Sequence, residues 1–364
     1  MTIVYVLLYA MAGIMVLASV LPLLKVPHGA IKGLEFPRIQ LFWVALALAG
    51  VAAWIEGALY VGLIFAAVAL LQVFYIAKFT PIWWRQTLDA GDALRKDTRR
   101  HIHFVAANVK KSNRDYDKLI ELTQREKPDV VMAIEVDDDW IKGLEDGLRD
   151  LYPHWIKVPK DTGYGLCVLS RLEVRDTEVR EMLTEGVPSI RLTLRLRSGD
   201  DIRLYVVHPE PPTVTHDTKG RDAEIALIGM EAADDDLPAI VTGDLNDVAW
   251  SSTTRRFQRL SGLVDPRVGR GFYNTFSAFH WWARWPLDHL FHDARFRQLG
   301  MVRLEKIGSD HFPMMFELAL AESKSEIVDL EDADLQEEAE VKKVIHEERA
   351  RDRSAIGTDW EDED

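Results

Sequence analysis

Long apolar runs fill the first eighty residues of the chain. They cover residues 3–24, 41–55 and 58–79, and each ends at or beside a charged residue. A helix that crosses a bilayer needs about 20 apolar residues, so the first and third runs are long enough, whereas the second needs an extension from Ile39. Because the runs are apolar on every face, they do not resemble amphipathic helices on a soluble core. The pattern predicts three transmembrane helices within residues 1–80.

The first run could alternatively be a cleaved signal peptide. No basic residue precedes it and two further apolar runs follow, which favours a retained helix. Basic residues lie in the first loop, at Lys25, Lys32 and Arg38, and again in residues 85–100. By the positive-inside rule, we expect a protein integral to the cell (inner) membrane, with the large C-terminal part in the cytoplasm.

The rest of the chain has shorter patterns. Residues 81–100 are predicted to be a charged linker, and residues 101–320 alternate between buried strands and amphipathic helices, as in an α/β domain. Strands are predicted at residues 101–107, 130–134, 165–169, 189–196, 202–207 and 239–242, and helices at 114–126, 137–148 and 219–230. Residues 321–364 form an acidic tail that we expect to be helical or disordered.

Charge is concentrated in that tail. The whole chain carries −14, but 17 acidic and 6 basic residues follow Leu320, so residues 1–320 carry only −3. This nearly neutral body lacks the basic surface of a dedicated nucleic-acid-binding protein. The acidic tail could bind a basic partner. The single cysteine, Cys167, excludes an internal disulfide.

Polar residues follow or precede several buried strands. Asp244 and Asn246 lie in Gly243–Asp247, directly after the apolar residues 239–241, and Asp310 and His311 lie directly before the apolar residues 312–316. Strand ends bring distant residues to one edge of a sheet, and carboxylate and amide groups suit Mg²⁺ and phosphate. Taken alone, an Asp after a strand more often caps a turn.

Four further positions extend this set. Asn108, Glu135 and His208 each end a predicted strand, and Asp288 lies within an apolar stretch. A buried carboxylate needs a partner, and His311 is the candidate partner for Asp288.

The ordered set resembles the endonuclease/exonuclease/phosphatase superfamily over about residues 101–320. The matching segments are Ala107-Asn108-Val109, Pro128-Asp129-Val130-Val131 leading to Glu135, Val207-His208-Pro209, Gly243-Asp244-Leu245-Asn246, Leu287-Asp288-His289-Leu290 and Gly308-Ser309-Asp310-His311. With its apolar N-terminal region and the run His208–Pro212, the chain more narrowly resembles bacterial membrane-anchored members.

The resemblance implies a four-layer α/β/β/α sandwich and a metal-assisted attack on phosphorus. Glu135 would bind Mg²⁺, with Mn²⁺ as an alternative, helped by Asn108 and Asp310. Asp244 would orient and deprotonate the attacking water. The resemblance gives the remaining roles as water or phosphate positioning by Asn246, phosphate contact by His311 oriented by Asp288, and transition-state stabilisation by His208.

The substrate remains open among lipid, nucleic-acid and small-molecule phosphate esters, and so does the oligomeric state. Aromatic residues between 276 and 285 could enter a membrane interface, stack on a base or simply pack between elements. Arg255 and Arg256 could meet a phosphate, although such pairs are usually solvated. The acidic residues 137–139 could repel polyanions, but a helix cap is favoured.

The main hypothesis is therefore a membrane-anchored, metal-dependent hydrolase of phosphomonoesters or phosphodiesters. The alternative is a catalytically inactive membrane scaffold that binds partners through its domain and acidic tail. A carboxylate at both Glu135 and Asp244 favours the enzyme, because a scaffold has no need of both.

Overall fold

The computed structural model describes residues 2–24, 26–325 and 330–358. Its helices are α1 (Thr2–Val20), α2 (Gly29–Lys32), α3 (Arg38–Ala53), α4 (Leu59–Ile76), α5 (Asp92–Lys96), α6 (Tyr116–Glu126), α7 (Asp138–Leu148), α8 (Lys219–Ala233), α9 (Ser252–Ser261) and α10 (Leu335–Arg349). Its strands are β1 (His101–Asn108), β2 (Val130–Ile134), β3 (His154–Val158), β4 (Leu166–Ser170), β5 (Glu173–Glu181), β6 (Pro188–Arg195), β7 (Asp201–Val207), β8 (Ala239–Asp244), β9 (Asp288–His292), β10 (Phe296–Arg303) and β11 (Met314–Leu320).

The strands form two sheets that pack face to face. The first has the order β10-β11-β1-β2-β4-β3, and the second has the order β5-β6-β7-β8-β9. Each sheet contains one parallel pair, β1 with β2 and β7 with β8, and its other neighbours are antiparallel. The two parallel pairs matter for the site because their carboxyl ends lie on the same edge of the sandwich.

Apolar side chains fill the space between the sheets and cover both outer faces. Residues such as Phe104 in β1, Leu204 in β7 and Ile240 in β8 form the central core. Helices α6 and α7 cover the outer face of the first sheet, and α8 and α9 cover that of the second. The predicted α/β/β/α sandwich is confirmed.

Within the described residues, two helices are long and apolar enough to cross a membrane. They are α1 with the 3₁₀ turn after it (Thr2–Leu24) and α4 with its own turn (Leu59–Phe79). The second predicted span corresponds to α3, which qualifies only when it is counted with Gly29–Glu35 across a 63° bend. The prediction of three spans therefore stays a prediction.

Polar side chains tie these apolar helices together at the end nearest the sandwich. Arg38 Nη1 donates to Gln72 Oε1 at 3.0 Å, and Gln72 Nε2 donates to Ser19 Oγ at 2.7 Å. At the opposite end, the Tyr5 hydroxyl donates to the carbonyl oxygen of Glu56. The N-terminus and the α3–α4 turn thus lie together, away from the sandwich.

The segments on either side of the sandwich pack against it. In the predicted linker, Ala90 N donates to Gln298 O at 2.8 Å. In the predicted acidic tail, Val341 and Ile345 of α10 pack against Ala223 of α8. Residues 326–329 and 359–364 of the tail lie outside the described residues.

Candidate active site

The predicted polar residues are delivered to one edge of the sandwich by its strands. Asn108 is the last residue of β1 and Asp244 the last of β8, while Glu135 and His208 directly follow β2 and β7. Asp288 begins β9, where it pairs in register with Asp244. β9 runs antiparallel to β8, and β11 runs antiparallel to β1. The first residues of β9 and β11 therefore lie beside the last residues of β8 and β1.

The backbone is unusual where two of these side chains turn inward. Glu135 has φ 65° and Asn246 has φ 51°, a left-handed conformation that costs a non-glycine residue energy. Gly243 has φ 146°, and a Cβ there would lie 1.8 Å from Val207 O of β7. Only glycine permits this close approach directly before Asp244.

A carboxamide links the partly buried carboxylate of Glu135 to the buried carboxylate of Asp244 at the centre of the site. Asn108 Nδ2 donates to Glu135 Oε1 at 2.6 Å and to Asp244 Oδ2 at 3.1 Å. Its Oδ1 accepts from Lys110 N at 3.0 Å, so the amide group is fixed in this orientation. Asn108 therefore orients both carboxylates across the two sheets.

His311 lies between two aspartates. Its Nδ1 donates to Asp288 Oδ2 at 2.8 Å, and its Nε2 lies 3.5 Å from Asp244 Oδ2. Burial disfavours the charged ring, but the carboxylates of Asp288 and Asp244 outweigh it and raise the pKa of His311 to about 10. The pairing of Asp288 with His311 is thus present, and it keeps the imidazole protonated at neutral pH.

Asp244 is ionised despite its burial. Burial alone would raise its pKa, but the charges of His311 and His208 and a hydrogen bond from Asn246 N to Oδ1 at 2.9 Å lower it. The Asn246 side chain donates to Pro209 O at 3.0 Å, and Arg221 Nη1 donates to Asn246 O at 2.9 Å. This loop is therefore fixed through its backbone and its side chain.

The donor set fits a hard divalent cation. Single ligand atoms of Glu135, His208 and Asp244 lie within 4.8 Å of one another. The pKa of Glu135 is raised to about 8, because burial and the charges of Asp310 and Asp244 outweigh the hydrogen bond from Asn108 and the charge of His311. His208 Nδ1 is buried with no hydrogen-bond partner among the described residues. Clustered carboxylates that repel one another are what a bound cation relieves.

A cavity of about 430 Å³ opens onto these groups. It contains Glu135, His208, Asp244, Asn246, Asp310 and His311, while Asn108 lies beneath them. Asp310 Oδ2 lies 3.7 Å from Lys110 Nζ, which also lines the cavity. The structure therefore brings the predicted catalytic and metal-binding residues together.

Arg255 and Arg256 are not brought to this cavity. Arg255 lies over the ring of Tyr75, 5.0 Å from its centroid, and Arg256 Nε lies 3.6 Å from Glu337 of α10. The acidic turn after Glu135 is a cap, as favoured from the sequence, because Asp137 Oδ1 accepts from Trp140 N at 2.9 Å at the start of α7.

Sequence reasoning missed several residues at this site. Phe36 and Tyr164 line the cavity and Arg221 holds the Asn246 loop, but none of them follows a strand in the sequence. The sequence could have indicated Lys110, which also lines the cavity, because it lies two residues after Asn108 at the end of a predicted strand.

The chain belongs to the Endonuclease/Exonuclease/phosphatase family, whose sequence pattern it matches over residues 104–311. Members of this family are phosphoester hydrolases, including nucleases and phosphatases. A search among curated proteins found no relative.

Solved structures share the fold at low sequence identity. The TDP2 of D. rerio, complexed with a single-strand DNA product, is 16% identical, with a TM-score of 0.51 over 60% of this chain and 98% of that one. An endonuclease/exonuclease/phosphatase from Beutenbergia cavernae is 18% identical, with a TM-score of 0.50 over 61% and 72%. The human Nocturnin catalytic domain with a bound sulfate anion is 16% identical, with a TM-score of 0.50 over 61% and 94%.

Proposed function

We propose that this chain is a membrane-anchored, divalent-metal-dependent phosphohydrolase in which Asp244 activates the attacking water. The main support for this proposal is the environment of Asp244. It is a buried, ionised carboxylate held from three sides, by Asn246 N, Asn108 Nδ2 and His311. A carboxylate fixed in this way can orient a water and accept its proton.

Hydrolysis forms one bond to phosphorus and breaks another. The water oxygen bonds to phosphorus as a proton passes to Asp244, and the opposite phosphorus–oxygen ester bond breaks, its leaving oxygen taking up a proton. The protonated His311 donates from Nε2 to a phosphate oxygen, while Asp288 fixes the ring through Nδ1. Positioning and charge neutralisation supply most of the acceleration in such reactions.

Other groups at the cavity complete this assignment. Glu135 and Asp310 would hold Mg²⁺ or Mn²⁺, helped by Asn108, whose Nδ2 fixes the Glu135 carboxylate. The ion, when bound, would neutralise charge on the phosphate and leaving oxygens. Asn246 positions the water, and His208 stabilises the charge of the transition state. The match to a family of phosphoester hydrolases supports this assignment.

The test uses the purified full chain with bis-p-nitrophenyl phosphate, a diester, and p-nitrophenyl phosphate, a monoester. We expect hydrolysis of at least one of them with Mg²⁺ or Mn²⁺, and none with a chelator. Asp244→Asn and His311→Gln should each lower kcat by roughly 10²-fold or more.

The matched control is Asp201→Asn at the opposite end of β7, where the carboxylate pairs with Arg195. It should leave kcat unchanged. Activity that survives chelation or Asp244→Asn would contradict the proposed mechanism. Hydrolysis of neither ester with any divalent cation would favour the catalytically inactive scaffold.

A further inference from the structure

The cavity that holds the catalytic groups is partly walled by the membrane region. Phe36 lines it together with His311 and Asp244, although it lies two residues before α3 begins at Arg38. The site therefore adjoins the start of an apolar helix.

Aromatic rings connect that helix start to the catalytic histidine. Phe36 packs edge-on against Trp285 with centroids 5.8 Å apart, Trp285 stacks on Phe276 at 5.9 Å, and Phe276 lies 5.1 Å from the ring of His311. Leu287 adds to the apolar side of the cavity. A small polar phosphate gains little from such a wall, whereas an apolar substituent gains free energy by leaving water along it.

The loop between Phe276 and Trp285 exposes large aromatic side chains. Trp281 is 80% exposed, Trp282 is 62% exposed and Phe279 is 53% exposed. Gln40 Nε2, in the first turn of α3, donates to Trp282 O at 3.0 Å. The loop therefore lies beside the start of α3, at one end of this apolar helix. Tryptophan is favoured at membrane–water interfaces, so the exposed rings of this loop suit that position.

Buried polar contacts fix the sandwich against the membrane region. Trp250 Nε1 donates to Glu35 O at 2.7 Å, and Lys32 Nζ donates to Ser252 Oγ at 2.6 Å. Phe79, at the end of α4, packs in the same apolar cluster as Trp250. With these contacts in place, the cavity cannot turn away from the plane in which the apolar helices end.

We propose that the phosphate ester this chain cleaves is carried on a membrane lipid, which enters from the bilayer along the wall formed by Phe36, Phe276 and Leu287, with Trp285 packed against the two phenylalanines. This inference rests on the proposed function and names its substrate class. The cavity has the volume of a small-ligand pocket, which suits a lipid headgroup, and it is polar on the catalytic side and apolar on the membrane side. The exposed Trp281 and Trp282 hold the cavity entrance at the interface.

The experiment compares three substrates with the full chain reconstituted in phosphatidylcholine vesicles. The first is a phospholipid in the same vesicles, supplied in separate runs as phosphatidylglycerol and as phosphatidic acid, the second is soluble bis-p-nitrophenyl phosphate, and the third is a single-stranded oligonucleotide. We expect the lipid to be hydrolysed with the highest kcat/KM. The double variant Trp281→Ser/Trp282→Ser should lower lipid hydrolysis roughly tenfold and leave the soluble diester unaffected.

The matched control is Trp54→Ser. Trp54 is 92% exposed at the far end of α3, so its loss should change neither rate. Hydrolysis of the soluble diester without hydrolysis of either lipid would overturn the lipid inference alone. Preference for the oligonucleotide, or an equal effect of the loop and control variants, would overturn it as well. Hydrolysis of none of the three substrates would reject the proposed function itself.

Discussion

Single residues with unusual backbone conformations cluster around the site. Besides Glu135 and Asn246, Lys110 has φ 58°, and Gly243 has φ 146°. Such conformations persist only where the surrounding structure enforces them, and here each lies beside a residue that faces the cavity. The arrangement indicates that these residues adopt less stable backbone conformations, which direct a few side chains towards the cavity.

Gly243→Ala tests this point. The added Cβ would lie 1.8 Å from Val207 O at a φ that disfavours any side chain, so the pairing of β7 with β8 must shift. We expect a loss of at least about 2 kcal/mol in the free energy of unfolding, and loss of hydrolysis because Asp244 moves. Thermal unfolding in detergent gives the first quantity.

Gly91→Ala is the matched control, because a Cβ there meets nothing within 4 Å and φ is −71°. Its thermal unfolding temperature should equal that of the wild type. Equal melting of Gly243→Ala and wild type would show that the strand end adapts and that glycine is not required.

Among the larger elements, the segment after α10 closes part of the cavity. Arg353 forms a two-point ion pair with the buried Glu210, at 2.6 Å for each contact, and Ile356 N donates to Glu210 Oε1 at 2.8 Å. Gly357 and Thr358 then line the cavity. This part of the predicted acidic tail, which was expected to be helical or disordered, thus forms a wall of the site.

Arg353→Ala should release that segment. A wider cavity favours a bulky substrate, so we expect kcat/KM for a bulky diester, relative to a small monoester, to rise roughly threefold to tenfold, about 1 kcal/mol of discrimination. Steady-state kinetics on both substrates measures the ratio.

Two variants keep that result interpretable. Arg353→Lys retains a charge for Glu210 and should restore most of the wild-type ratio. Arg351→Ala removes ion pairs of the more exposed Arg351 with Asp217 and Glu348, away from Glu210, and should leave the ratio unchanged. An unchanged ratio in Arg353→Ala would mean that the segment does not limit access.

The sequence predicted elements well where one interaction dominated. β2 was predicted to the residue because five successive apolar residues are buried on both faces of the sheet. β5 (Glu173–Glu181) was missed because it is a charged edge strand with nearly every side chain exposed, and so has no apolar alternation. The pairing of α10 with α8 was missed because Val341 and Ile345 lie in a segment whose residues are mostly charged.

The site residues also divide into those that a local sequence pattern predicts and those that depend on long-range packing. Asn108, Glu135, His208 and Asp244 could be predicted because strand ends share an edge once the order of strands is known. Phe36 could not, because it reaches the cavity through the packing of the membrane region on the sandwich, and no local pattern encodes that packing.

For the molecule as a whole, the packing constrains membrane topology. Lys32 and Glu35 contact the sandwich, so a bilayer crossed by the apolar helices would have the first loop and the sandwich on the same side. The contact between Tyr5 and Glu56 places the N-terminus and the α3–α4 turn together at the opposite end. Combined with the basic residues between 85 and 100, this arrangement predicts a cytoplasmic sandwich.

Cysteine labelling in intact cells tests this topology. The only native cysteine, Cys167, is fully buried in β4, so introduced cysteines can be labelled against a silent background. A membrane-impermeant maleimide should label Glu56→Cys in intact cells, but Lys96→Cys only after lysis, because the bilayer separates the two exposed positions. Labelling of Lys96→Cys alone in intact cells would place the sandwich outside the cell. Equal labelling of both positions before lysis would mean that α3 and α4 do not cross the membrane.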